Sequence, residues 1–153
     1  QRKICNEICG DLIVQSSDLV GINVPDHIIP NIIDEIPILC VAACFAEGET
    51  SIKNASELKI KESDRLKATS EGLNAMNVQH DLLDDGLIIK GSNEEIMPLK
   101  EIDSFGDHRI AMSFLVAGLR TKDGITVKNC NNIETSFPDF CNTMNSLGMK
   151  VHE

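Results

Sequence analysis

Two short charged stretches hold the residues best suited to chemistry: Lys61-Glu62-Ser63-Asp64-Arg65 and Asp107-His108-Arg109. Each stands directly ahead of an apolar pattern with helical spacing. Each is therefore expected at a helix start, where unpaired backbone N–H groups already favour anions. Lys61 and Arg65 lie one helical turn apart and can point the same way, with Glu62 between them. Two cations beside a carboxylate suit an anionic substrate that must also receive a proton. The same cations should lower the pKa of Glu62, whereas a general acid wants it raised. Arg109 offers a planar fork matched to carboxylate or phosphate. His108 beside it reads first as a cap or surface residue. Asp34, in Asp34-Glu35, is the other candidate. It reads first as a helix cap, and if it faces a cleft it can also accept a proton from a substrate hydroxyl. Singly these are ordinary charged helix starts; together they point to one shared anion site.

The elements that must position these groups follow from periodicity. Residues 11–15 and 19–24 read as short strands, closed by Pro25 and Pro30. Ile32, Ile33, Ile36, Leu39, Cys40 and Ala43 recur at helical spacing, and Pro37 is tolerated only in a first turn, so that helix should begin near Asp34. A strand is expected over 50–54 and a second helix over 61–76, with Leu66, Thr69, Leu73 and Met76 on one face. Segments 78–82 and 87–90 flank Leu83-Asp84-Asp85-Gly86, a hairpin signal. A third helix should start near His108 and carry Ile110, Phe114, Ala117 and Gly118 inward, followed by a strand over 125–128. Ser136 should cap a last helix with Pro138 in its first turn and Phe137, Phe140, Met144 and Leu147 on its core face. A strand over 149–152 would close the chain.

The order of elements repeats. Ile52-Lys53-Asn54-Ala55 matches Val127-Lys128-Asn129-Cys130 at an offset of 75 residues, and Ala75-Met76-Asn77-Val78 meets Gly148-Met149-Lys150-Val151 after a short gap. The expected fold class is a layered α/β (α+β) structure of duplicated β-α-β-α-β-β units, with repeat units about 11–90 and 103–153.

Bulk properties narrow the partners. A chain of 153 residues is one ordinary domain, and its net charge of −10 argues against a general nucleic-acid or membrane-surface binder. Without Trp or Tyr, a stacking platform for bases is not expected. An anionic substrate therefore needs local positive charge, which the two clusters are expected to supply. Cys5 and Cys9 have no nearby Cys/His pair to complete a zinc site, and Cys40 and Cys44 share a helix face as small buried hydrophobes. Reduced thiols in a cytosolic protein are expected, with neither a signal peptide nor an apolar run long enough to span a bilayer. Gln rather than Met at position 1 suggests a processed or partial chain.

Asp34-Glu35-Ile36-Pro37, Lys61-Glu62-Ser63-Asp64-Arg65-Leu66, Asp107-His108-Arg109-Ile110-Ala111-Met112 and Thr135-Ser136-Phe137-Pro138-Asp139 occur in the order and spacing of a known family. Over nearly its whole length the chain resembles the C-terminal third or so of the EPSP synthase (3-phosphoshikimate 1-carboxyvinyltransferase) family. That resemblance implies part of an inside-out α/β barrel lobe of the enolpyruvyltransferase type. The implied reaction moves the enolpyruvyl group of phosphoenolpyruvate to the 5-hydroxyl of shikimate 3-phosphate, on the way to chorismate and the aromatic amino acids. It runs by addition and elimination and needs neither metal nor organic cofactor. By motif, Asp34 would bind shikimate 3-phosphate and take the hydroxyl proton, and Glu62 would protonate the methylene carbon of phosphoenolpyruvate. Lys61 would contact shikimate 3-phosphate, Arg65 and Arg109 would hold phosphoenolpyruvate, and His108 would be a site neighbour. Many members carry Lys directly before the Thr/Ser-Phe-Pro stretch; here that place is Thr135, which is given no role. The N-terminal lobe, with its own substrate contacts, is missing, so a cytoplasmic piece inactive alone is expected. The competing readings are a non-catalytic remnant or anion-binding module, and the UDP-N-acetylglucosamine enolpyruvyltransferase branch. The Lys-Glu-Ser-Asp-Arg and Asp-His-Arg pair favours the shikimate branch.

Overall fold

The structure, a computed structural model, describes residues 2–152. It opens on a hairpin of β1 (Arg2–Ile4) and β2 (Glu7–Cys9), in which Ile4 faces Glu7. The two loop residues, Cys5 and Asn6, both have positive φ, 48° and 69°, as a two-residue hairpin turn demands. This hairpin occupies the stretch that Cys5 and Cys9 had marked as a zinc question.

Residues 11–15 form no strand, contrary to expectation, because nothing among the described residues pairs with them. Leu12, Ile13 and Val14 are 93%, 88% and 90% exposed. Residues 19–24 do run alongside a strand. Gly21 N and Val24 N donate to Glu47 O and Ser51 O at 2.8 and 2.9 Å, while Glu47 N and Ser51 N donate to Leu19 O and Ile22 O. That strand, β3 (Gly48–Ile52), is two residues earlier than expected, since Asn54 turns left-handed at φ 58° and stops it. Antiparallel pairing then gives the order β3-β5-β4, with β4 at His80–Leu83 and β5 at Gly86–Gly91. Gly86 is required by close approach rather than by the turn: a Cβ there would lie 2.0 Å from Ile52 O.

Between the hairpin and the sheet lie α1 (Ile29–Ile32) and α2 (Ile36–Cys44). The helical run Asp26–Cys44 is long and apolar enough to cross a membrane by length and composition, with mean hydropathy 1.5, where the sequence reading expected no such run. In the fold it is a relay of short helices with a Pro near the start of both α1 and α2, and Ile29, Ile36, Cys40, Val41 and Cys44 are packed in the core. Glu35, not Asp34, precedes α2, and neither side chain caps it.

Next come α3 (Arg65–Ala75) and, after β5, the short parallel pair β6 (Ile102–Asp103) and β7 (Val127–Lys128), which bracket α4 (His108–Ala117). The helices α2 and α3 lie against the sheet, and α4 packs on both of them. Leu66, Leu73, Met76, Leu87, Ile89, Ile110 and Phe114 are buried in that core. Gly72 sets the spacing of α3 and α4: a Cβ there would lie 2.1 Å from the Phe114 ring.

The chain ends with α5 (Ile133–Ser136) and α6 (Phe140–Ser146). Ser136 therefore ends one helix instead of capping the next, because Phe137 breaks out to φ −144° before Pro138. Phe140 is buried and Met144 packs beside it, but Phe137 and Leu147 are largely exposed. Residues 149–152 are irregular, not a strand. The offset of 75 keeps one local signature: Asn54 and Asn129 are both left-handed, and each directly precedes or begins the approach to a short 3-10 turn.

Candidate active site

Asp64 accepts a hydrogen bond from Lys67 N at 3.1 Å and thereby starts α3 at Arg65, four residues later than expected. Lys61 and Glu62 consequently sit in the loop before the helix. Asp107 does the same for α4, its Oδ1 accepting from Arg109 N at 2.9 Å and Ile110 N at 3.4 Å. Each cap fixes where the next charged side chain leaves the backbone.

Arg65 leaves inward and is 1% exposed. Its Nε donates to Asp107 Oδ2 at 2.8 Å, its Nη1 to Asp34 Oδ1 at 2.8 Å, and its Nη2 to Glu62 Oε2. Three carboxylates from three parts of the chain thus converge on one guanidinium. A buried guanidinium is tolerable only when its donors are satisfied in this way. Ser63 Oγ also donates to Asp107 Oδ2, at 3.1 Å.

The sequence candidates all meet here. Lys61 Nζ lies 3.5 Å from Asp34 Oδ1 and 2.6 Å from Glu57 Oε1. Arg109 Nη1 donates to the Asp34 carbonyl at 3.0 Å and to Glu35 Oε1 at 2.6 Å, and its Nη2 lies 4.0 Å from Asp34 Oδ2. His108 Nδ1 is 4.0 Å from Glu62 Oε1. Three pairing roles were not foreseen by sequence reasoning. They are Asp107 as the partner of Arg65, and Glu35 and Glu57 as partners of the outer cations. The available signal was an Asp immediately before a helix that starts with a cationic fork.

Electrostatically the cluster is not the patch of spare positive charge that was expected, because five carboxylates face its three cations. Burial pushes the Asp34 carboxyl up, but the charges of Lys61, Arg109 and Arg65 outweigh it and hold it below the usual carboxylate range. Asp107 behaves alike: burial raises it, and the hydrogen bond and charge of Arg65 bring it below normal. For Arg65, burial opposes the charge and Asp107 restores it, with a net rise. The hydrogen bond to Glu57 raises Lys61. At neutral pH, Asp34, Asp107, Lys61 and Arg65 are charged.

Among the described residues, no three His, Cys, Asp or Glu side chains form a group that could hold a metal ion. Cys40 and Cys44 are buried, and burial drives both thiols up. Thr135 is exposed and its hydroxyl turns back to Asn132 O. A cavity of about 1020 Å³ lies elsewhere, lined among others by Leu115, Ile125, Cys141 and Val151, and it contains none of the clustered residues.

Residues 2–144 match the profile of EPSP synthase (3-phosphoshikimate 1-carboxyvinyltransferase). The chain belongs to the EPSP synthase family. A relative in Magnetococcus marinus named 3-phosphoshikimate 1-carboxyvinyltransferase is 44% identical over the whole of this chain and 34% of its own length. One of the same name in Legionella pneumophila (strain Paris) is 42% identical over all of this chain and 35% of its own. A solved EPSP synthase structure from Acinetobacter baumannii superposes with a TM-score of 0.83 at 41% identity, covering 88% of this chain and 32% of that one. The chain therefore spans about a third of the length of the EPSP synthases it matches, and its α/β fold is that of a part of them.

Proposed function

We propose that this chain forms one wall of an active site that transfers the enolpyruvyl group of phosphoenolpyruvate to the 5-hydroxyl of shikimate 3-phosphate, releasing phosphate. The observation that carries the reading is the convergence of Asp34, Glu62, Lys61, Arg109 and His108 around the buried Arg65. In addition, the hydroxyl oxygen bonds to C2 of phosphoenolpyruvate while Asp34 takes the hydroxyl proton and Glu62 gives a proton to C3. In elimination, C3 returns a proton to Glu62, the double bond re-forms, the C2–O bond to phosphate breaks, and the departing phosphate takes the proton that Asp34 had accepted. Lys61 would face shikimate 3-phosphate; Arg65 and Arg109 would hold the charges of phosphoenolpyruvate, with His108 beside Glu62. Placing two anions together and stabilising charge that develops during addition supplies the rate.

The second wall would come from the remaining two thirds of an EPSP synthase-length polypeptide. The exposed apolar run at Leu12, Ile13 and Val14, and the outer edge of 19–24, support such a partner, since an unpaired apolar edge invites another strand. The setting that goes with both phosphorylated substrates is the cytoplasm. The test mixes this chain with the N-terminal two thirds of the Magnetococcus relative and follows phosphate release. Turnover is expected only from the mixture, and Glu62→Gln in this chain should abolish it. Robust turnover by this chain alone, or full activity with Glu62→Gln, would sink the reading.

A further inference from the structure

Arg109 is held at two points that differ in kind. The Asp34 carbonyl, at 3.0 Å from Nη1, is backbone and cannot leave without moving the turn before α2. The Glu35 carboxylate, at 2.6 Å from the same nitrogen, is a 61% exposed side chain directly ahead of that helix. It caps nothing, so it can rotate away at no cost to the fold. Both protons of Nη1 are engaged by this pair. An anion gripping the guanidinium through Nη1 and Nη2 needs a proton of Nη1, and of its two holders only Glu35 is a side chain that can yield it.

Resting on the functional reading above, we infer that Glu35 is an internal placeholder anion: it occupies Arg109 while the site is empty, is displaced by the incoming carboxylate or phosphate, and so sets the affinity for that anion. Asp34 remains as the permanent anchor that keeps the fork aimed. Lys61 has the same layout, with a half-buried position between Asp34 and the exposed Glu57. The placeholder keeps Arg109 from presenting a bare charge to the many unrelated anions of the cell.

The test titrates inorganic phosphate and phosphoenolpyruvate into the chain, following the side-chain N–H resonances of arginine, for the native sequence, Glu35→Gln and Arg109→Gln. Removing one charge about 4 Å from the bound anion is expected to tighten binding about fivefold at low salt. Arg109→Gln should abolish the response. Binding that is unchanged or weaker in Glu35→Gln, yet lost in Arg109→Gln, would overturn the placeholder role and leave the anion site intact. No response in any variant, the native chain included, would overturn both.

Discussion

Asp107 joins the two charged motifs through one carboxylate. Its Oδ1 caps α4 and its Oδ2 holds Arg65 Nε and Ser63 Oγ. Asp107→Asn separates these duties. An asparagine oxygen still caps the helix, but the amide nitrogen then confronts Arg65 Nε, donor against donor, and Ser63 loses its acceptor. Breaking one partner of a buried ion pair costs about 3–5 kcal/mol. Arg65 keeps Asp34 and Glu62, so we expect the lower end, about 3 kcal/mol. Asp107→Ala removes the cap as well and should cost about 1 kcal/mol more. Urea denaturation followed by circular dichroism at pH 7 measures both, with the slope checked for constancy between variants. Replacing both partners, Arg65→Met with Asp107→Leu, should recover much of the loss, since no fully buried charge is left without its partner. A loss under about 1 kcal/mol in Asp107→Asn would refute the reasoning. So would a loss that appears only in Asp107→Ala, which would reduce Asp107 to a cap.

Three further expectations follow from the fold. Gly72→Ala drives a methyl into the Phe114 ring and should destabilise the chain by about 1–3 kcal/mol, and it should weaken the anion response by parting α3 from α4. Asp34 and Asp107 both have lowered folded pKa values, so their contribution is complete above the unfolded value near 4 and is lost as pH falls through the folded values. Acid unfolding should accordingly steepen below about pH 4, and Asp107→Asn should flatten that limb; a native-like slope in the variant would speak against it. Leu12→Lys with Val14→Lys should change stability by less than about 0.5 kcal/mol while weakening sedimentation-detected assembly with the N-terminal two thirds of the Magnetococcus relative; unchanged assembly would mean that this edge is not the docking surface.

The helices were legible where burial is one-sided. Leu66, Thr69 and Leu73 or Ile110 and Phe114 recur on one face because they fill the core between α2, α3 and α4. The β4–β5 hairpin was legible from its turn residues. Residues 11–15 misled because an apolar run states a need for a partner, not its presence. In the short pair β6–β7, β7 lies within the strand expected over 125–128, whereas β6 is only two residues long and too short for any period to register. Ser136 read as a cap by residue type, but the turn of helix before it claims the backbone first. At the site, the cations and Asp34 were visible by spacing, since each stands within a few residues of a helix start. The role of Asp107 was not, because the sequence does not say that Arg65 turns inward and needs a buried partner. Nor does spacing reveal that Glu35 and Glu57 neutralise the outer cations.

The single carboxylate of Asp34 is the common counter-ion of Lys61, Arg65 and Arg109. Neutralising it with one proton changes the field of all three cations together. In the proposed addition step that proton would come from the attacking hydroxyl, so the local potential would become less negative as negative charge grows on the acceptor. Under that proposal, proton transfer and charge stabilisation would be one event, timed by the same carboxylate. The cluster would then pass from five carboxylates against three cations to four, becoming less negative while charge builds on the acceptor.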